Sequence, residues 1–336
     1  MKDLPAALEL LANPSPRVTR LRMTDNPKHM RARATSLIQC GAVHLEERPF
    51  PMTAESALND FGDVRPQPWR AATALCWREC VRFVRQRNRV IGAIGQPILF
   101  WILFGAGMNS TFQISGQSFR EYFFPGTMML ILLFTAIFAT ISIIEDRREG
   151  FLQGVLVSPI PRWSMVLGKI MGGALIATLQ GLIFLALALT LGIRFHLGTG
   201  LMIVAWLLIS SIGLTGLGFV LAWRMDSTQG FHAIMNLLLM PMWLLSGAFF
   251  PIPLLNNGTG WGEKILHFVM RCNPITYAVA GLRRLLYRDT GAVEHGLADI
   301  WLPGLGISTF VLFSFATIMC VCAWRMSCRH TSGDLL

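Results

Sequence analysis

From about residue 90 onward the chain is a succession of apolar runs broken by short polar turns, and that alternation predicts its elements. A run of about 20 apolar residues is long enough to cross a bilayer as a helix. Such runs fall at 91–109, 122–144, 170–191, 201–223, 232–254 and 302–324. Six spans put both termini on one side. Basic residues flank the spans unevenly: Arg65 to Arg89, Arg147, Arg148, Arg162, Lys169, Arg224, Arg325 and Arg329 fall on one side, against Arg120, Arg194, Lys264, Arg271, Arg283, Arg284 and Arg288 on the other. The richer side is expected to be cytoplasmic, which orients the chain N-in and C-in. The fold class expected is an all-α polytopic membrane protein with six transmembrane helices in a domain over 91–324, followed by a cytoplasmic tail at 325–336.

The pattern changes before the first span. Residues 1–68 carry Pro14, Pro16, Pro27, Pro49, Pro51, Pro66 and Pro68 among charged and hydroxyl residues, with no apolar core for a signal peptide. This reads as a disordered N-terminal extension. Met52 resembles a natural start, so 1–51 is read as an extension or a misassigned beginning; Asp3, Glu9, Asp25, Glu46 and Glu47 speak against a transit peptide. From 69 to 90 the chain is basic and helix-like. At about 3.6 residues per turn, Trp69, Cys76, Trp77, Cys80, Phe83 and Val84 share one face and Arg78, Arg82, Arg85 and Arg89 the other. That pattern predicts a cytoplasmic interfacial helix, with tryptophans at headgroup level and arginines towards phosphate, or else an ordinary positive flank to span one.

Two connections carry more pattern than a loop needs. Between spans two and three, Glu145-Asp146-Arg147-Arg148-Glu149-Gly150 leads into Phe151, Leu152, Val155 and Leu156 at helical spacing, then a stop at Ser158-Pro159. This predicts a compact amphipathic helix whose apolar ridge lies on the bilayer or docks in another protein's groove. After span five, Leu245-Ser246-Gly247-Ala248-Phe249-Phe250-Pro251-Ile252 ends the span, and 265–270 and 275–286 are apolar but too short to cross. They suit short re-entrant or interfacial helices on the outer side.

Composition agrees with the pattern. Of 336 residues only 14% are charged and 53% are hydrophobic, against about 25% charged in soluble chains. The net charge of +10 would suit nucleic acid if it formed a surface, but the arginines gather beside apolar runs, so no nucleic-acid partner is expected and membrane lipids are. The seven cysteines form no zinc spacing; the Cys76/Cys80 pair and the Cys320/Cys322 pair read as small hydrophobes.

Catalytic chemistry is hard to find. Gly168-Lys169 is followed by Ile170 and lacks the earlier glycine of a phosphate-cradling loop; there is no HExxH or GxSxG, and the histidines are scattered. No Asp, Glu, Lys or Arg falls inside the six runs as bounded above. Gln96, Gln180, His232 and Asn236 are the strong polar groups of the span interiors. Gln180 and Asn236 read as interhelical partners or as polar residues of a pathway. Gly168 and Gly172 form a GxxxG with Lys169 inside it, read as intrachain packing. A chain of this kind is no enzyme and binds no cofactor or metal; if it moves a solute with ATP, another chain supplies the hydrolysis.

With these residues on the page, the sequence resembles the membrane-spanning subunit of ABC-2-type transporters, the family of drug-resistance and nodulation-factor export permeases. The matching pieces are Arg-Arg-Glu-Gly-Phe-Leu to Leu-Val-Ser-Pro over 147–159 with Gly168-Lys169 after it, Leu-Ser-Gly-Ala-Phe-Phe-Pro-Ile at 245–252, and Asn-Pro-Ile-Thr-Tyr at 273–277 leading to Leu282-Arg283. The resemblance spans about 70–325. It implies an export permease that pairs with a second copy of itself or a paralogous permease, and with a separate ABC ATPase subunit that holds the ATP and Mg. It implies that the loop with Glu145, Arg147, Arg148, Glu149, Gly150, Leu152, Leu156 and Pro159 receives the ATPase's motion, together with the interfacial helix bearing Trp69, Trp77, Arg78, Arg82 and Arg85. It also implies an outer gate or re-entrant motif at Phe249, Phe250, Pro251, Asn273, Pro274, Tyr277 and Arg283, in the cytoplasmic (inner) membrane. The substrate expected is amphipathic: a drug, a lipid or a lipid-linked saccharide. The rival expectation is a non-transporting membrane scaffold or assembly protein.

Overall fold

The computed structural model describes residues 67–108, 118–193, 196–252, 260–288 and 301–329. The chain divides into two units, Met1–Val64 and Arg65–Leu336, and every described residue belongs to the second. The extension read over 1–68 therefore lies outside the described residues save for its last two, as do position 109, the end of the predicted fifth span at 253–254 and most of the tail.

The described residues form helices and no strand. In chain order they are α1 (Pro68–Arg85), α2 (Arg87–Gly107), α3 (Phe119–Ala139), α4 (Ile141–Arg148), α5 (Phe151–Val157), α6 (Arg162–Leu185), α7 (Leu197–Trp223), α8 (Thr228–Trp243), α9 (Trp261–Cys272), α10 (Pro274–Leu286) and α11 (Leu305–Cys328). Six segments are long and apolar enough to cross a membrane: Val90–Gly107, Phe119–Arg148, Arg162–Ala188, Leu197–Trp223, Thr228–Ala248 and Leu305–Cys328. The protein is multi-pass.

The boundaries move where chemistry outside the run takes over. The third span starts at Arg162 rather than 170, because Lys169, read as a flank, is buried and neutralised by acidic side chains from two other helices. The second continues beyond 144 through a step at Thr140 to Arg148, carrying Asp146 with it. Both charges therefore lie within the spanning segments, where the sequence reading had none. The fifth ends at Ala248 because Gly247 takes φ +76, a left-handed conformation that closes the helix with a single wide turn, Leu244–Ala248.

Span two is the axis of the bundle. A capping box between Ser118 and Glu121 starts α3, and its side chains are then buried almost all the way round. A helix apolar on every face must be surrounded, and α2, α6, α7, α8 and α10 surround it. Glycines permit the closest approaches: a Cβ on Gly213 or Gly216 of α7 would meet Phe315 or Met319 of α11 within 3.0 Å.

Helix α1 lies lengthwise on the first part of α6. It begins on Pro68, favoured at a first helical position, and buries Ala72, Leu75, Glu79 and Phe83, a stripe at the three-and-four spacing of one helix face. The predicted face is therefore divided: Phe83 turns inward, Cys76 and Cys80 are half-buried, and Trp69, Trp77 and Val84 point away. The GxxxG is what α1 seats on, since a Cβ on Gly168 would stand 2.7 Å from the Ala72 carbonyl oxygen and one on Gly172 2.7 Å from the Glu79 Cβ. Cys76 sits in this contact, and burial, followed by Cys80 and Glu79, pushes its thiol up to about 11.

A Gly168→Ala substitution should therefore lift α1 from α6 and lower stability by about 1–3 kcal/mol. Gly95→Ala, where nothing stands within 4 Å, should leave stability unchanged or raise it by up to about 1 kcal/mol. Thermal unfolding of the detergent-purified chain distinguishes the two; equal melting temperatures would contradict the contact.

Candidate functional site

Near the Arg148 end of span two, Asp146 has no exposed surface and meets three cations. Arg78 of α1 grips it with both guanidinium nitrogens, Nη2 to Oδ1 at 2.7 Å and Nη1 to Oδ2 at 3.0 Å. Arg82 donates to Oδ1 at 2.7 Å, and the Lys169 Nζ donates to Oδ2. Lys169 in turn reaches Glu79 Oε1 at 2.5 Å and Ser142 Oγ at 3.4 Å. Glu79 and the Lys169 side chain are 5% and 3% exposed, so each would be costly alone; together the charges balance. The Asp146 bond holds the Arg78 guanidinium above its ordinary pKa despite opposing burial. Arg82 also bonds Glu145 at 2.9 Å and stands 3.7 Å from Glu149. Among the described residues Arg85 makes no such bond and remains exposed. The arginines read as facing phosphate thus divide: Arg78 and Arg82 are committed to span two.

The loop after Asp146 is positioned by the same charges. Gly150 turns it with φ +76 into the seven-residue α5, which stops at the extended Ser158 before Pro159. Arg78 lies 3.7 Å over the Phe151 ring. Leu152 is buried and Phe151, Val155 and Leu156 half-buried against the core, so the apolar ridge is turned onto this chain rather than outward. What α5 presents is Gln153, Gly154 and Val157, the last 86% exposed, with Pro159 beyond. Arg147 donates to the Trp223 carbonyl at 2.8 Å, and Arg148 to that of Asp226 at 2.9 Å, fastening the loop to the end of α7. On α1, Trp69 meets Trp163 edge-on at 5.0 Å and Trp77 is 72% exposed. A surface cavity of about 560 Å³ lies between Trp77, Arg82, Arg85 and Glu149.

The residues expected at an outer gate also come together, around a backbone carbonyl. The left-handed Gly247 leaves its oxygen free of the helix, and Tyr122 Oη donates to it at 3.1 Å and Arg283 Nη2 at 3.2 Å. Arg283 is 3% exposed, donates to the Tyr122 carbonyl at 3.2 Å, and stacks 4.1 Å from that ring. No acidic partner faces it among the described residues. Asn273 caps α10 through Ile275 N–H at 3.0 Å and donates to the Met242 carbonyl at 2.5 Å, while Pro274 occupies the first helical position. Phe249 enters an aromatic cluster with Phe104 at 5.1 Å and Phe123 at 5.4 Å. Phe250 is exposed, Pro251 follows it half-buried, and Tyr277 meets Trp301 at 6.2 Å. Helix α10 is buried among α3, α7 and α11, whereas α9 exposes Trp261, Ile265 and Phe268.

The two polar residues named for a pathway are apart. Gln180 is buried between spans two and three, its carbonyl oxygen accepting from Thr135 Oγ1. Asn236 sits exposed on α8. A cavity of about 550 Å³ between α2 and α8 is lined by Phe100, Phe104, Met240, Trp243, Leu244 and Phe249, none of them charged. Among the described residues no His, Cys, Asp and Glu cluster could hold a metal ion.

Sequence reasoning did not select Glu79, Asp146 and Lys169, nor Tyr122 and Gly247 as the partners of Arg283. For Glu79 a signal existed: it falls on the stripe of Ala72, Leu75 and Phe83, where a carboxylate needs a buried cation.

A family model described as ABC-2 type transporter matches residues 70–287. The chain is 24% identical over 242 residues to ycf38 of Cyanophora paradoxa, named a transport permease, covering 70% of this chain and 81% of that one. It is 26% identical over 211 residues to DrrC of Mycobacterium tuberculosis, named a probable doxorubicin resistance ABC transporter permease protein, covering 61% and 73%. To YadH of Escherichia coli, named an inner membrane transport permease, it is 21% identical over 219 residues, covering 64% and 82%.

Asp146→Asn should cost about 3–5 kcal/mol, because it takes their shared carboxylate from the buried Lys169 and the part-buried Arg78 and Arg82, whereas Glu145→Gln should cost no more than about 1 kcal/mol at its partly exposed pair. Thermal unfolding in detergent checks the ranking, and a near-neutral Asp146→Asn would show that the ionic network does not hold the helices.

Proposed function

The chain belongs to the ABC-2 type transporter family, as the non-catalytic permease subunit of an ATP-binding-cassette exporter, and from that premise we propose how its parts serve transport. The ATPase subunit docks on the outward side of α5, at Gln153, Val157 and Pro159, and on Trp77 of α1. The observation that carries this reading is an inversion: a loop that buries its own ridge still leaves Val157 86% and Trp77 72% exposed. Large apolar side chains left exposed mark an interaction surface, and Trp77 borders a cavity rimmed by Arg85 and Glu149. Nucleotide-driven motion at α5 passes to spans two and three together, since the ions at Asp146 join α1, α4 and α6.

The termini and α5 face the cytoplasm in this reading, and α9 and α10 form the short outer-side helices of an inner-membrane permease. Two permeases meet so that the exposed faces of α2 and α8 enclose the pathway. Its wall is aromatic and uncharged around Phe100, Phe104 and Phe249, which suits an amphipathic substrate. The name of the mycobacterial relative ties that protein to doxorubicin resistance, and a flat aromatic amphiphile fits such a wall. Phe249, Arg283 and Tyr122 close the outer end.

Val157→Asp should abolish co-purification of the co-expressed ATPase while leaving the permease's melting temperature unchanged. Leu152→Asp, which places a charge in the core, should lower the melting temperature itself. An intact complex with Val157→Asp and full ATP-driven transport in vesicles would show that docking lies elsewhere.

A further inference from the structure

A second cavity, of about 360 Å³, lies on the other flank of α1. The chain leaves α1 at Gln86, and span one meets α6 again where Trp101 reaches Phe184, ring centroids 6.0 Å apart. Between those points the two helices are separated by this space. Cys80 and Phe83 of α1 form one side, Ile91 and Ile94 another, and Leu179 and Ile183 of α6 the third. No charged residue lines it. Val84, Ile91, Leu179 and Ile183 are all exposed at its rim, so its mouth lies on the apolar flank of two spanning helices.

One wall residue is out of keeping with the rest. Gln180 lines the cavity and is 3% exposed. Its oxygen accepts the Thr135 hydroxyl, and its amide nitrogen has no partner. Reversing the amide would pair the nitrogen with Thr135 and strand the oxygen instead. Either way one hydrogen-bonding group is unsatisfied in a region without water, which native structures rarely tolerate. A volume above about 300 Å³, apolar walls and one convergent polar group are the features of a small-molecule site.

We propose that this cavity binds an uncharged, membrane-dissolved lipophile bearing a hydroxyl or carbonyl oxygen, which pairs with the Gln180 amide while its apolar body lies against Ile91, Ile94, Leu179 and Ile183. The absence of charge excludes anionic and cationic headgroups from the interior. The site is independent of the ATPase-docking surface and requires only that α2 and α6 span the bilayer.

The test uses the purified full chain in phosphatidylcholine nanodiscs, without ATPase or nucleotide, and two photoreactive probes: a diazirine-bearing hexadecanol and the matching hexadecane. The alcohol should label peptides carrying Val90–Ile94 and Leu175–Ile183, with competition by unlabelled hexadecanol. The alkane should label them about fivefold less, the worth of one hydrogen bond. In Gln180→Leu the alcohol should fall to the alkane's level. Ile94→Trp, which fills the space and leaves the Thr135–Gln180 bond intact, should remove labelling by both. Equal labelling by the two probes in the wild-type chain, labelling that survives Ile94→Trp, or labelling concentrated at Phe310 and Phe313 of α11 would overturn the proposal. So would a Leu179→Cys variant that cross-links to a second copy in nanodiscs where no labelling occurs, since the cavity would then be an interface between protomers.

Discussion

Asp146 is the point on which one end of the bundle depends. A carboxylate without exposed surface has lost its hydration and must recover it from donors, and here those donors come from Arg78, Arg82 and Lys169. Arg78 and Arg82 belong to a helix that precedes all six spans, and Lys169 to the third span. One buried anion therefore decides where three helices sit. Such a network is weak evidence for net stability, because desolvation offsets much of the attraction. Its structural effect is clearer: any displacement of α1 relative to α4 and α6 separates buried opposite charges. The short α5 is consequently held at its start by the network and the Arg78–Phe151 stack, and beyond its end by α6, which leaves it the projecting part of a stiff body.

The Phe119 end of span two is held by different means. Arg283 and Tyr122 converge on the carbonyl of Gly247, and that carbonyl is available only because Gly247 leaves the helical conformation. A guanidinium on carbonyl dipoles and a ring face is bound less strongly than one on a carboxylate. The same span is thus anchored by full charges at one end and by dipoles at the other, and the dipolar contact is the easier to release.

How much of this the sequence disclosed follows from the range of each interaction. The six apolar runs are local facts, and the spans differ from them chiefly at ends where a distant partner intervenes. Lys169 looked like a flank because a lone lysine beside a hydrophobic run is usually one; that it lies inside a helix depends on Glu79 and Asp146, 90 and 23 residues away in the chain. The amphipathic pattern of α1 was visible, but it placed Phe83 on one face with Trp69 and Trp77, and it assigned nothing to Glu79, which is buried in the contact with α6. In α5 the ridge at Leu152 and Leu156 was correctly apolar, yet periodicity says which residues share a face and not what that face meets. Readings that concerned size fared better. Gly168 and Gly172 admit α1, and Gln180 does pair between helices, because a missing Cβ or a buried amide constrains its neighbours wherever they come from.

The arrangement of charge bears on selectivity. The ions of the described bundle are gathered at Asp146 and along the loop to Asp226, where they fasten helix to helix, and Arg283 and Arg284 are spent on backbone carbonyls. Neither apolar cavity, the one between α2 and α8 or the one beside Gln180, has a charged residue in its wall. A wall without fixed charge discriminates through shape and through the few hydrogen bonds it offers, and a missing or added methylene in such a wall changes affinity only modestly. For the transport proposed above, broad tolerance among amphiphiles of similar size would follow from committing the ionic groups to contacts between helices.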